Sequence, residues 1–345
     1  MKKFRFSFLP HKTTFGVFIL LGVVLCSFLW CEPSFANALR ISRVSLKNVR
    51  EDTNEFWVCF DLQWQNSWRT DFNHDAAWVV VKLAVNGGEI LHGTLLSSGI
   101  DPKGTSTGGD KNFEIYVPED KAGAFIRRKV NGDGAVNLTR VTLKLDGTLF
   151  GLKKDDSVDI FIAGTEMVFI PAGAFYAGDG AAYAGFASEL GSETPWLINT
   201  ESAIDTGDGQ HAYTAVGDGN PEFASGERFM IPAGYPKGHQ AVYCMKYEIT
   251  EGQWVNFFNT LTIEQKLARD VTDENGKNTG SVKKRNTVSW IGGKARAVTT
   301  RPERAMNWLN WMDLCAYLDW VGLRPMTELE FEKISRGAVG PLQHE

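Results

Sequence analysis

The sequence is poor in the residues that most often build metal, redox and hydrolytic centres. It has five cysteines and six histidines in 345 residues, and none of them forms a C-x-x-C, H-E-x-x-H or closely spaced His-x-His motif. The G-x-S-x-G pattern occurs once, at Gly104-Thr105-Ser106-Thr107-Gly108, and no Walker phosphate loop occurs. The absences leave a zinc or dithiol motif and a nucleotide-binding enzyme without support.

Blocks of like charge are also missing. The formal net charge is −5, with acidic and basic residues interspersed, so the sequence lacks the basic face of a nucleic-acid-binding protein. Glycine and tryptophan, by contrast, are abundant, at 35 and 11 residues. This composition favours turn-rich, β-containing structure with large aromatic core residues, and the length predicts about two domains.

A long hydrophobic run from Phe15 to Trp30 follows a basic leader that contains Lys2, Lys3, Arg5 and Lys12. Ala36-Asn37-Ala38 is an A-x-A cleavage site, which completes the pattern of a secretory signal peptide. The alternative is a membrane anchor, for which the run is short of the usual span of about 20 residues. We expect residues 1–38 to be removed and the protein to be exported to the periplasm, the cell surface or the medium, with no membrane span after cleavage.

Residues 39–165 carry the pattern of short β-strands. Apolar runs occur at Phe56–Leu62 and Ala77–Leu83, and Asn86-Gly87-Gly88 provides a hairpin turn before Ile90–Leu95. Short strands at this spacing predict an antiparallel β-sandwich.

Four tryptophans of this region have two interpretations. They either form a platform on which a sugar stacks, or several of them are core residues, as tryptophan usually is in a strand-rich protein. They are Trp57, Trp64, Trp68 and Trp78.

Three cysteines remain once the leader is removed: Cys59, Cys244 and Cys315. The odd number leaves at least one unpaired in an exported protein. Cys244 and Cys315 either form a disulfide bridge or remain as two buried thiols.

A stretch rich in Gly, Ala, Ser and Asp runs from Ala177 to Gly226, which is a long loop for a compact domain. Asp205, Asp208 and Asp218 lie in it, and Asp133 lies in another glycine-rich turn. None of them follows the twelve-residue calcium-loop pattern, so the sequence favours plain turns over calcium sites.

The last third of the chain has clear helix starts. Thr250, Thr262 and Thr327 are each followed three residues later by Gln or Glu, the pattern of a capping box, and Asn310 with Asp313 is a looser variant. Two apolar packing faces follow from helical spacing. The first consists of Trp254, Phe257, Phe258 and Leu261, and the second of Trp311, Leu314, Cys315, Leu318 and Val321 before a stop at Gly322.

Three stretches in the second half resemble the sulfatase-modifying-factor (formylglycine-generating enzyme) family. Residues 167–175 are similar to the family's opening strand and turn, and residues 243–257 are similar to a strand that leads into a helix. The third stretch, residues 301–337, is similar to the region of the family's Arg-Leu-Pro-Thr-Glu-Ala-Glu-Trp-Glu sequence. Its matching part here is Leu323-Arg324-Pro325-Met326-Thr327-Glu328-Leu329-Glu330-Phe331-Glu332, with Phe331 in place of the tryptophan.

The resemblance covers residues 166–345 and implies a mixed fold related to C-type lectins. The expected fold class is therefore α+β, with an antiparallel β-sandwich over 39–165 and a C-terminally incomplete sulfatase-modifying-factor-like domain over 166–345. The matched residues are expected to be structural, with Glu330 in a helix cap and Arg324 paired with an acidic neighbour. They are Glu248, Thr250, Trp254, Arg324, Thr327, Glu328 and Glu330.

Active members of the family oxidise a sulfatase cysteine to formylglycine, and the resemblance implies copper, held by a cysteine pair, and calcium. Their ligands are expected beyond the matched stretches, whereas eight residues follow Gly337 here. Cys244 and Cys315 fall in earlier motifs. We therefore expect a family protein without oxidase competence, whose partner is a protein substrate or a cell-surface component. The alternative is a secreted, non-catalytic binding or surface-assembly module of the same fold.

Overall fold

Long antiparallel strands form where the first half of the chain is rich in apolar and β-branched residues, as seen in a computed structural model of the protein. The structure describes residues 39–50, 55–96, 112–151, 156–179, 185–187, 194–213, 228–272, 286–293 and 296–340. Residues 37–345 form one compact unit. The expected leader 1–38 and Asp218 lie outside the described residues.

The described strands and helices are as follows. The strands are β1 (Arg40–Arg50), β2 (Glu55–Arg69), β3 (His74–Val85), β4 (Leu91–His92), β5 (Phe113–Tyr116), β6 (Ala124–Arg128), β7 (Gly132–Asp146), β8 (Val158–Ile170), β9 (Phe175–Ala177), β10 (Phe186–Ala187), β11 (Trp196–Ile198), β12 (Ile204–Asp205), β13 (Ala212–Tyr213), β14 (Met230–Ile231), β15 (Val242–Met245), β16 (Ser289–Ile291) and β17 (Arg296–Val298). The helices are α1 (Glu251–Asn259), α2 (Ile263–Ala268), α3 (Trp311–Trp320) and α4 (Glu328–Arg336).

The main sheet consists of two groups of antiparallel strands. β2 pairs with β1 and β7, while β3 pairs with β4, β6 and β8. The two groups are joined where Arg69 of β2 faces His74 of β3, and by a bridge between Leu95, just after β4, and Leu145 of β7. The molecule is thus a mixed α/β protein in which antiparallel strands predominate.

β3 is buried on both faces, as its nearly continuous apolar sequence requires. Ala77, Val79 and Val81 join residues of β2 and β7 in one apolar cluster, which we call the strand core. Trp78 and Val80 join residues of α1 and α3 in a second cluster, which we call the helix core. The sheet therefore separates two cores that share β3.

The hairpin predicted at Asn86-Gly87-Gly88 is confirmed. Asn86 and Gly87 have φ values of 52° and 70°, as the two central residues of a type I′ turn require, and the Gly88 amide donates to the Val85 carbonyl at 2.9 Å. The returning strand β4 is shorter than predicted. It nevertheless places His92 opposite Lys82.

β8 runs through the boundary expected between residues 165 and 166. Its whole length pairs with β3, from Val158 opposite Val85 to Phe169 opposite His74. Its last residues also pair with β15, where Phe169 faces Tyr243. One strand therefore connects the two segments, and their division into separate domains stays a prediction.

All four predicted helix starts are confirmed. Thr250, Thr262, Asn310 and Thr327 each accept a hydrogen bond from the amide three residues on, and each forms a full capping box, Asn310 with Asp313 included. The packing face predicted for α3 was wrong at its first residue. Trp311 is 62% exposed, because it points away from the helix core, against which Leu314 and Leu318 of the same helix pack. In the described part of the chain no helix is long and apolar enough to span a membrane.

Candidate functional site

A cleft of about 580 Å³ opens between the β3–β4 hairpin and the helices. Lys82 and His92 line it from the hairpin, Phe257 from α1, Arg269 from the end of α2, and Asp319 and Trp320 from the end of α3. Its volume lies in the range of about 300–1,000 Å³ typical of small-molecule sites. It combines two cationic groups with an aromatic wall.

Lys82 and His92 form a hydrogen-bonded pair at the cleft. Lys82 is only 5% exposed, although it stands in the middle of an apolar strand. Its Nζ lies 2.8 Å from Nδ1 of His92, and Nε2 of the same ring lies 2.5 Å from the Ala122 carbonyl oxygen. Because a carbonyl only accepts, Nε2 carries the proton and Nδ1 accepts from Lys82. The tautomer of His92 is fixed by its backbone partner.

Burial controls the protonation of both groups. It lowers the pKa of Lys82 to about 8, against the opposing attraction of Asp319. It also lowers the pKa of His92, more than the hydrogen bond to Ala122 raises it. Near neutral pH, His92 is therefore a neutral acceptor, and a fraction of Lys82 is an uncharged amine.

An aromatic wall faces the Lys82 ammonium group. Nζ lies 5.3 Å from the centre of the Trp320 ring, within the range of a cation–π contact. Trp320 packs against Phe257 and Phe161, with ring centres 5.6 and 5.9 Å apart. A ligand ring that enters the cleft would meet a fixed apolar surface beside a cation.

Arg269 supplies the second cation. Its Nε lies 3.8 Å from Oδ1 of Asp313, too far for a hydrogen bond, and is buried without a hydrogen-bond partner in the described structure. The side chain is 25% exposed. Arg269 lines the cleft, and a guanidinium is suited to a carboxylate or a phosphate.

The family-motif residues form a separate structural network. The Arg324 guanidinium donates to both carboxylate oxygens of Glu330, at 2.6 and 2.8 Å, and Glu330 also accepts from the Thr327 amide at 2.9 Å. Thr250 caps α1, Trp254 is buried in the helix core, and Glu248 and Glu328 are exposed. None of these seven residues is among the described residues that line the cleft.

The four tryptophans do not form a common platform. Trp64 of β2 is fully buried in the strand core, and Trp78 of β3 is 2% exposed in the helix core. The two cores lie on opposite faces of β3. Trp57 and Trp68 are half-buried. The core interpretation is thus confirmed for Trp64 and Trp78.

The three described cysteines are free thiols, so the bridge between Cys244 and Cys315 was wrong. Cys244 lies in β15, which pairs with β8 of the main sheet, and Cys315 lies in α3. Both side chains are half-buried. Cys59 is buried, with its Sγ 3.1 Å from the Thr142 hydroxyl.

Asp205 and Asp208 form turns, whereas the turn expected at Asp133 was wrong, because Asp133 lies in β7 and pairs with Trp68 of β2. Asp205 pairs with Arg228 and accepts from the Gly207 amide, and Asp208 pairs with His211. Within the described ranges, no group of three or more His, Cys, Asp or Glu residues could hold a metal ion. The described donors therefore do not fit the copper and calcium sites that the resemblance implies.

Sequence reasoning missed the cleft. Its one local signal is Lys82, a lone charge within the apolar run Ala77–Leu83. Arg269 and Trp320 stand in unrelated parts of the sequence and meet Lys82 only through the packing of helices on β3.

Comparison with protein-family models, with curated proteins and with solved structures finds no match to this chain.

Proposed function

We propose that the protein is an exported, non-catalytic binding module related to the sulfatase-modifying factors, and that it holds a small carboxylate-bearing ligand in the Lys82 cleft. The observation that carries the ligand class is a desolvated lysine and an arginine that line one cleft beside an aromatic wall. Two cations attract the carboxylate, while Trp320 and Phe257 accommodate an apolar or ring-shaped body.

The structural role of the matched motif supports the relation to this family. Arg324, Thr327 and Glu330 together fix the start of α4. They are close enough in the stretch Arg-Pro-Met-Thr-Glu-Leu-Glu for their side chains to meet at that helix end. The strand core between the β1–β2–β7 group and β3 likewise supports a β-sandwich for residues 39–165. The lectin-like character of residues 166–345 belongs to the same proposal.

Benzoate is the simplest probe of the cleft. We expect it to bind the wild-type protein, and Lys82→Met to weaken binding at least about tenfold, because a charge-assisted hydrogen bond to a carboxylate contributes about 1.5–3 kcal/mol. Methionine retains most of the volume of the side chain. Isothermal titration calorimetry or shifts of the tryptophan indole NMR signals would measure the affinity.

A matched control is Lys144→Met. Lys144 also lies over a tryptophan, with its Nζ 5.2 Å from the Trp57 ring, but it does not line the cleft. Its substitution should leave benzoate affinity unchanged. Equal losses in the two variants, or no loss in Lys82→Met, would remove the ligand site from the proposal.

The non-catalytic part of the proposal has its own test. Copper oxidation of a substrate cysteine needs a pair of thiolates that binds Cu(I), and Cys59, Cys244 and Cys315 are single, separate thiols. The chain co-expressed with a peptide that carries a sulfatase-type cysteine should leave that cysteine unmodified. Peptide mass spectrometry reads the result, and a formylglycine-bearing peptide would restore the oxidase hypothesis.

A further inference from the structure

Lys82 differs from two other buried lysines, Lys237 and Lys333, in what its amine touches. The Nζ atoms of Lys237 and Lys333 each lie within hydrogen-bond distance of three backbone carbonyl oxygens. Three such acceptors need three N–H donors, which only the ammonium form provides. Those two lysines are therefore held as cations with a structural role.

Among the described residues, Lys82 has one acceptor, Nδ1 of His92, and its amine otherwise faces Trp320 and the cleft. A neutral amine satisfies this arrangement with a single N–H. Its lone pair then remains available to a molecule in the cleft, since the tautomer of His92 leaves Nδ1 as an acceptor only. An amine that is desolvated, placed in a cleft and hydrogen-bonded to a base has the arrangement of an activated nucleophile.

From this geometry we propose that Lys82 captures carbonyl ligands covalently, by forming an imine with an aldehyde whose carboxylate occupies the cleft. This inference rests on the proposed function, which supplies the carboxylate-bearing class of ligand. It adds a covalent bond between Lys82 and that ligand. His92 acts as a positioning residue and as the proton acceptor next to the amine.

The step is balanced without an oxidant or a metal. The neutral Lys82 amine attacks the carbonyl carbon, a C–N bond forms, and the carbonyl π electrons move to the oxygen. The proton released from nitrogen passes to Nδ1 of His92 and then to that oxygen, which gives a carbinolamine. Loss of the hydroxyl group with a second proton releases water and leaves the C=N bond. One aldehyde and one amine thus give one imine and one water molecule.

The experiment uses the intact protein and 4-carboxybenzaldehyde, with cyanoborohydride to trap the imine as a stable secondary amine. Peptide mass spectrometry then measures the labelling rate of each lysine. We expect Lys82 to be labelled at least about tenfold faster than the exposed Lys129 at pH 7.5, because burial lowers the pKa of Lys82 and the cleft holds the aldehyde beside its amine. The rate should rise with a midpoint near pH 8, the pKa to which burial brings Lys82.

Two further readouts separate the covalent step from the ligand site. Benzoate should suppress labelling of Lys82 but not of Lys129. His92→Gln should slow labelling of Lys82 by a larger factor than it weakens benzoate binding, because the amide keeps a polar partner but cannot take the proton. Benzoate binding without preferential labelling of Lys82 would overturn covalent capture alone, and failure of both would overturn the proposed function as well.

Discussion

Trp64→Ala is expected to lower the free energy of unfolding by about 4–5 kcal/mol, near the upper end of large-to-small core substitutions. The indole is fully buried in the strand core and packs edge-on against Phe113, with ring centres 6.1 Å apart. Its Nε1 donates to Oδ2 of Asp75 at 3.0 Å. Alanine would leave a cavity and would also remove a donor from a carboxylate that has no exposed surface.

The two contributions can be separated by Trp64→Phe. Phenylalanine keeps most of the apolar volume but cannot donate to Asp75, so we expect a loss of about 1–3 kcal/mol. Asp75 would retain hydrogen bonds from the Ser67 hydroxyl and the Trp68 amide. Urea unfolding followed by circular dichroism would measure all variants.

Trp68→Ala is the matched control, since Trp68 is half-buried on the same strand. We expect it to cost well under half of the Trp64→Ala loss. Equal losses would contradict the placement of Trp64 at the centre of the core. Weaker glycan binding by Trp68→Ala in a folded protein would revive the sugar platform for that residue alone.

Glu330→Ala is expected to have the second largest effect, about 3 kcal/mol of stability. The Glu330 carboxylate is 3% exposed and accepts three hydrogen bonds, two from the Arg324 guanidinium and one from the Thr327 amide. Breaking a fully buried pair costs about 3–5 kcal/mol. The Arg324 side chain is 53% exposed, so water screens part of the interaction and the lower end of that range applies.

The loss should depend on pH. Burial by itself would raise the pKa of Glu330, but the hydrogen bonds from Arg324 and Thr327 outweigh it and hold the pKa below its usual value. A carboxylate with a lowered folded pKa stabilises the protein above its unfolded pKa and loses that contribution as the pH falls through the folded pKa. The stability difference between wild type and Glu330→Gln should therefore be full at pH 7 and shrink below about pH 4.5.

Glu328→Gln provides the control for this effect. Glu328 lies in the same first turn of α4, but its side chain is exposed. Its substitution should change stability by less than about 0.5 kcal/mol at every pH. A pH-independent difference for Glu330→Gln would mean that packing, and not the ion pair, holds the start of α4.

The helix starts were predictable because their causes are local. A capping box needs two residues three positions apart, so Thr250 and Gln253 specify the start of α1 without help from the rest of the chain. The hairpin at Asn86 is local for the same reason, since only the turn residues must adopt positive φ.

The cleft and the pairing of β8 were not predictable from local patterns. Lys82 looks like a single interruption of an apolar strand until His92, Arg269 and Trp320 are packed around it. The pairing of Phe169 with His74 likewise depends on contacts between segments far apart in sequence. The apolar pattern of β8 predicts a strand but does not identify its partner.

The double burial of β3 also sets the order in which the chain can fold. β3 is synthesised early, but its main partner β8 follows only after β4 to β7, and the register joins Val85 to Val158 and His74 to Phe169. A nascent chain therefore carries β3 with one hydrogen-bonding edge unpaired until β8 has emerged, and the face of β3 in the helix core waits further for α1 and α3. Because such a long loop must close before pairing stabilises it, we expect folding to be slow relative to synthesis. Such a delay would keep the chain unfolded during the interval in which the proposed export takes place.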